Sequence, residues 1–463
     1  MITTKITLKR FLPFFLLAAV ATAAVFIPSI APKLADGKYS SADVAWMLVA
    51  TALVFLMTPG LAFFYGGMVN RKNVLSTMMK SVVAAGVVGV LWIVVGYSLC
   101  FGDSIHGVIG NPLTHLFYKG VVSGDPFSPA PTIPKALFSM FQLMFAIITP
   151  GLVVGAIAER MRFSAYVLFT VLFSLLVYAP LAHWSWHPDG FLAKMGALDF
   201  AGGTVVHISA GCAALAGAIV LKRRKVHINH QETHPANIPY VLIGTGLLWF
   251  GWFGFNAGSA FGANQLAVSA FSTTNTAAAA AGLSWMFFDV LRGKKPSVVG
   301  FCVGAVVGLV AITPAAGFIA IPQSIFVGVL AAVISNMAVH FKATKTVLDD
   351  TLDVFPCHGI GGMVGMLLTG IFATKAVNIN GANGLLYGNP SFFLTQLKAM
   401  GCAVGYSFVV SYGIFKLVNF IVPLRVSEEE EEEGLDASQH DEKYTQGTLL
   451  VATPKGLEEH EVM

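Results

Sequence analysis

Two histidines sit where a chain this apolar offers little water: His207 in "GGTVVHISAG" and His358 in "FPCHGIGGMVG". Each is preceded eight residues earlier by an aspartate, Asp199 and Asp350. Ionisable residues inside apolar helices are costly and usually face a pathway or a partner. A lone buried imidazole could simply bond a neighbouring carbonyl, and that reading stays open for either ring alone. Two rings at matching positions could instead face each other as neutral groups sharing one hydrogen bond, a proton-passing spot inside an apolar tube. No third ligand lies at metal-type spacing beside them, so a zinc site is not expected.

Aromatic residues form a second set. "FQLMF" places Phe141 and Phe145 four residues apart, on one face of a helix. "HWSWHPDG" carries Trp184, Trp186 and His187, and "WFGFNAGSA" carries Phe253, Phe255 and Ser259. Any one cluster reads as the ordinary aromatic belt of a membrane interface. On a common side of the bilayer, the three could line a vestibule. Indole and phenyl faces there would attract a small cation, and a serine hydroxyl would accept a hydrogen bond from it.

The elements that position these residues follow from composition. The 463 residues are 56% hydrophobic and only 11% charged, where a soluble domain averages about a quarter charged. The class is an all-α polytopic membrane protein. Its 47 glycines suit close helix approach. A hydropathy window of about twenty residues marks about eleven spans, near 43–69, 74–101, 133–158, 163–186, 200–221, 237–258, 266–290, 297–314, 323–341, 354–373 and 391–421. The connecting loops sort by charge. One set holds Arg71, Lys72, Arg160, Arg162, the run Lys222 to Lys225, Arg292, Lys294, Lys295, Lys342 and Lys345. The alternate set holds little beyond Lys119, Lys135, Lys194 and Lys375. The positive-inside rule puts the basic set in the cytoplasm. The mature amino end then faces outward and the carboxyl tail inward, which requires an odd number of spans.

The first Asp–His pair opens the fifth predicted span and the second opens the tenth. The two halves therefore run in opposite senses, as two inverted five-helix repeats plus a final long helix. Such repeats place a transport site at their interface near the midplane.

The ends differ in character. Residues 1–24 have basic Lys5, Lys9 and Arg10, an apolar run and a small-residue "ATA", the shape of a secretory signal peptide. An uncleaved first helix is the alternative. Residues 43–424 form the membrane domain and 425–463 a cytoplasmic tail, whose acidic run Glu428–Glu433 is expected to be solvated and flexible. Cys100, Cys212, Cys302, Cys357 and Cys402 are scattered singly, as packing residues rather than a disulfide or metal set. A membrane enzyme would need a nucleophile or metal set, and none is apparent.

The segments "FYGGMVNRKNVLS", "GLVVGAIAERMRFS", "DFAGGTVVHISAG", "WFGFNAGSA" and "DVFPCHGIGG" closely resemble the signature stretches of the ammonium transporter (Amt) family, in order, across roughly residues 43 to 440. The related Rhesus glycoproteins share the twin histidines, but Trp186 and "FGFNAGSA" look more like the microbial branch. The resemblance implies an external ammonium site of Phe141, Phe145, Trp186 and Ser259, with a gate of Phe145 and Phe255 beneath it. It implies His207 and His358 as the pore pair and Asp199 as a structural acid supporting the vestibule. It also implies an inner-membrane homotrimer with one pore per protomer, ammonium or ammonia as substrate with methylammonium as analogue, and no cofactor or nucleic acid. A PII-type signalling protein would block the cytoplasmic face. "GLDASQH" resembles the family's tail segment, and the extension after about Tyr444 departs from it. A urea or small-amide channel would want oxygen ladders instead of an imidazole pair. A sensor of this family would carry a longer cytoplasmic output domain.

Overall fold

A computed structural model describes residues 12–122 except 28–38, then 125–444 except 232, and the strands at 448–453 and 456–461. Residues 1–11 of the expected leader lie outside that set, as do several of the tail extension.

One helix, α1 (Leu12–Phe26), precedes the bundle. The bundle begins with α2 (Ser41–Met68), α3 (Arg71–Phe101), α4 (Lys135–Ile157) and α5 (163–186, interrupted by a π turn at Ser174–Tyr178). It continues with α6 (Gly203–Leu221), α7 (Ile238–Gly258), α8 (Gln265–Leu291) and α9 (Val298–Ile312). The last members are α10 (Gln323–Lys345), α11 (Phe355–Phe372) and α12 (Pro390–Ile421). Among the described residues nine helical stretches are long and apolar enough to cross a membrane. Two further helices match predicted segments but fall outside that set. α8 has 27 residues and is less apolar because of its Ser, Thr and Asn positions, and α9 has 15. Each predicted segment coincides with a helix to within a few residues.

Burial separates the central helices from the peripheral ones. In α4, 94% of the apolar window is buried and in α6 83%, against 33% in α3 and in α12. The first two are surrounded by other helices, whereas the others turn one flank outward; apolarity does not separate them, since α3 has a mean hydropathy of 2.3 and α4 one of 2.0. α2 and α7 cross along a seam of small residues. A methyl group added at Gly244 would lie 2.3 Å from the Phe64 backbone nitrogen, so only glycine permits that approach. Between α3 and α4 the chain forms a short hairpin, β1 (Ser104–Ile105) and β2 (Ile109–Gly110), with Ser104 opposite Gly110. β3 (Thr448–Thr453) and β4 (Gly456–Glu461) form a second hairpin near the carboxyl end.

The acidic run is a finding against expectation. Glu428–Glu433 is a helix, α13, opened by a Ser427–Glu430 capping box. Basic side chains from other elements hold it: Arg162 to Glu430 at 2.8 Å, Lys225 to Glu428 and Glu432 at 2.8 and 2.7 Å, and Arg425 to Glu431 at 2.6 Å. Glu428, Glu429, Glu432 and Glu433 are exposed, so the run is solvated as expected, but the basic collar and the cap give it a helical conformation. The next helix, α14 (Leu435–His440), follows at once. Its Asp436 carboxylate accepts the Leu75 and Ser76 N–H groups at 3.0 and 2.7 Å, filling donors that the first turns of α3 leave free.

Four cysteines are buried and Cys402 is exposed on α12.

Candidate functional site

The site is built from the amino ends of α6 and α11. The Asp199 carboxylate accepts the N–H groups of Gly202, Gly203 and Thr204 at 2.8, 2.6 and 2.7 Å, and also the Thr204 hydroxyl. A carboxylate there satisfies the orphan donors and favours the positive end of the helix dipole. Gly202 has φ +122°, a conformation that strains any residue with a β-carbon. The Asp199 carbonyl accepts the Trp186 indole N–H at 3.0 Å. One residue therefore fixes both the helix that carries His207 and the ring in front of it. Asp350 repeats the device: its carboxylate accepts the Val354 and Phe355 N–H groups at 3.0 and 2.7 Å. Both helices then open with a π turn, Gly203–Ile208 and Phe355–Ile360, a feature frequent at functional sites.

Those two turns carry the histidines, His207 at 1% and His358 at 3% exposure. Their Nδ1 atoms are 3.4 Å apart. That contact is a hydrogen bond when one ring donates and the other accepts. The helices can come this close because Gly211 faces Gly359: a β-carbon at Gly211 would sit 2.2 Å from the Gly359 nitrogen.

A line of rings leads to the pair. His207 lies nearly parallel to Trp252 at 5.4 Å, and Phe255 is 6.0 Å from the imidazole. The Trp252 indole donates to the Thr313 hydroxyl at 2.9 Å. Phe145 and Phe255 lie 4.2 Å apart, tilted by 34°, and the Trp186 ring meets Phe145 edge-on at 5.7 Å. Beyond the phenylalanine pair is a cavity of about 70 Å³ lined by Phe127, Phe138, Gln142, Phe145, Trp186, Ser259 and neighbours. The Ser259 hydroxyl donates to the Phe255 carbonyl at 2.8 Å, which leaves its lone pairs for an incoming donor.

Phe145, Trp186, Ser259, Phe255, His207 and His358 are thus brought together. Phe141 is fully buried 4.9 Å from Phe145 but does not line the cavity. Three residues of the aromatic clusters go elsewhere. Trp184 turns its indole to the Val108 carbonyl at 2.7 Å and packs on Phe191 and Tyr406. Phe253 stacks on Phe271 at 4.0 Å, two positions from Phe255 and hence on another helix face. His187 stacks on His183 at 4.5 Å and lines a separate cavity of about 730 Å³ with Asp103, His106 and Lys135. Sequence reasoning missed Phe127, Phe138, Gln142, Phe200, Phe261 and Trp252. Gln142 carried a signal, as a lone amide inside an apolar run; Phe127 belongs to an irregular loop and carried none.

On the basic side of the bundle, Arg224 is clamped between Glu159 at 2.6 Å and Asp349 at 2.8 Å. Burial alone would lower the Arg224 pKa, but its bonds to Asp349 and the Glu159 charge raise it above the ordinary value. Burial likewise works to raise Asp349, and the Arg224 bonds and Arg160 charge override it, holding that carboxyl well below the usual range. Among the described residues no group of three or more His, Cys, Asp or Glu side chains is arranged to hold a metal ion.

Residues 45–445 match the model of the Ammonium Transporter Family. The chain is 50% identical over 411 residues to the ammonium transporter of Aquifex aeolicus, covering 88% of this chain and 94% of that one. It is 46% identical over 407 residues to that of Bacillus subtilis, with 88% and 99% coverage. The crystal structure of Candida albicans Mep2 superposes with a TM-score of 0.80 at 36% identity, covering 85% of this chain and 88% of that one. A structure described as a sensor Amt protein gives 0.77 at 29% identity, with 86% and 98% coverage. The Aquifex aeolicus and Bacillus subtilis relatives are named ammonium transporters, membrane transporters rather than enzymes. The chain, a multi-pass helical membrane protein, belongs to the ammonium transporter family.

Proposed function

We propose that this chain captures ammonium from outside the cell at Trp186, Phe145 and Ser259, strips a proton from it, and passes ammonia inward past His207 and His358. One observation carries the reading: the unbroken file of rings from Trp186 through Phe145, Phe255 and His207 to His358. In this account Phe145 and Phe255 are the gate, Phe141 backs the capture site, and Asp199 holds Trp186 and the α6 end in place.

Magnitudes favour deprotonation. Taking a bare ion of this size into hydrocarbon costs on the order of 20 kcal/mol in the Born limit. A ring face returns about 2 kcal/mol. Removing a proton from a group titrating about two units above neutral costs only about 3 kcal/mol at pH 7. Shedding charge before the gate is therefore the cheaper route, and potassium, with no proton to shed, is excluded. The proton either returns outward, giving electroneutral flux, or follows through the imidazole pair, giving electrogenic uptake.

The same reading counts α8 and α9 among eleven spans, in two inverted repeats plus α12. The matched Asp199 and Asp350 caps, each followed by a π turn with its histidine, support that symmetry. A homotrimer in the inner membrane, a cytoplasmic tail and a PII-type partner complete the proposal.

Purified protein in sealed liposomes tests it. Ammonium and methylammonium should enter and urea should not; equal urea entry in stopped flow would favour an amide channel. An ammonium pulse that gives no transient current would sink the electrogenic version.

A further inference from the structure

One wall of the cavity beside Trp186 carries a buried amide. Gln142 lies on α4 between Phe141 and Phe145, is 4% exposed, and lines the cavity with Phe145, Trp186 and Ser259. Its Oε1 is buried with no hydrogen-bond partner among the described residues. An amide oxygen left unpaired in an apolar wall costs the full desolvation of that group, so the position calls for a donor. The neighbouring walls are rings and offer none. The Ser259 hydroxyl cannot supply it either, because its hydrogen is already given to the Phe255 carbonyl. The last torsion of a glutamine is soft and two-fold, so a half-turn at most aims the oxygen into the cavity.

We infer that Gln142 is a specificity-determining residue, the second oxygen acceptor of the capture site, and that it sets the preference for ammonium over methylammonium. The inference rests on the proposed ammonium reading and deepens it. Ammonium has four N–H donors in a tetrahedron. The cavity then answers them with two oxygens, Ser259 Oγ and Gln142 Oε1, and two ring faces, Phe145 and Trp186. Methylammonium has three donors and a methyl group, so it always leaves one of these four acceptors without its donor. Removing the amide oxygen takes a bond from ammonium that methylammonium can do without by turning its methyl to that wall.

The test compares uptake of ammonium and methylammonium in liposomes by wild type, Gln142→Leu, Gln142→Met and Gln142→Glu. Both apolar variants should raise the half-saturating ammonium concentration about tenfold or more while leaving the maximal rate within about twofold. They should raise the methylammonium value less, so that the ratio between the two substrates narrows. Gln142→Glu keeps two acceptor oxygens and should hold ammonium at or below the wild-type value. Should the leucine variant fail to fold, the unbranched methionine keeps the comparison. Equal changes for both substrates, or none, in a wild type that transports ammonium would overturn the role of Gln142 and leave the transport reading intact. No ammonium uptake by wild type would instead remove the reading on which it rests.

Discussion

Gly211→Ala is the smallest change that should break the pore. A β-carbon there lands 2.2 Å from the Gly359 nitrogen and 2.3 Å from its Cα. An ordinary carbon contact needs about 3.5 Å, so the deficit is about 1.3 Å. Both opposing atoms are backbone, so no side chain can swing away and the two helices must part. Gly211 lies one turn beyond His207 on the same face, and the imidazole contact is already at 3.4 Å. Opening it by even half of that deficit takes it past hydrogen-bond range. Overpacking of this kind costs about 1–3 kcal/mol, offset by about 1 kcal/mol of helix propensity gained on replacing glycine. The net stability loss is therefore modest, and function should suffer more, with methylammonium uptake falling about tenfold or more. Gly246→Ala on α7 is the control, since nothing lies within 4 Å of its added carbon; it should be neutral or slightly stabilising. Thermal unfolding in detergent and radiolabelled uptake in liposomes read the two effects separately. If Gly211→Ala matched Gly246→Ala in both, the helix contact would not be what sets the histidine geometry.

Three further outcomes are expected. His207→Asp places a carboxylate beside Trp252 and His358 and should let potassium compete with ammonium; unchanged selectivity in a competition assay would count against the imidazole pair as the filter. Arg224→Ala removes the cation between Glu159 and Asp349 and leaves both buried carboxylates without their shared ion pair, though Asp349 keeps the Arg160 charge; the cost should fall toward the lower end of about 3–5 kcal/mol, seen as a lowered unfolding temperature and poor accumulation in the membrane. His440 joins the tail to α3 through Ser76 at 3.3 Å and packs edge-on to Phe163. Burial first, then the Lys80 charge, holds its pKa below the ordinary imidazole value, with Glu442 opposing. A depressed folded pKa means that docking is fully supported above about pH 6.5 and weakens as pH falls through the folded value. Protease sensitivity of the tail should rise on acidification below about pH 6, and His440→Gln should flatten that dependence.

Much of the fold was legible because a membrane helix announces itself by length and apolarity. The twin histidines were legible because an imidazole has no bland reason to recur eight residues after an aspartate. Periodicity does not report which side of a helix end faces a cavity. Trp184 and Trp186 are two residues apart, yet one turns to Val108 and the other to Asp199. Phe127 reaches the cavity from an irregular loop, which has no periodicity to read. The acidic run misled because a count of glutamates says nothing of Arg162, Lys225 and Arg425, which only the folded chain gathers around them.

The central claim is that the substrate loses its charge before it passes Phe145 and Phe255. The most direct measurement follows nitrogen uptake and potassium influx side by side in the same sealed liposomes carrying the wild-type protein. Ammonium nitrogen should enter readily, and potassium influx should be no greater than in protein-free liposomes. Potassium entering at a rate approaching that of ammonium would mean that intact cations cross the ring file, and would contradict that claim.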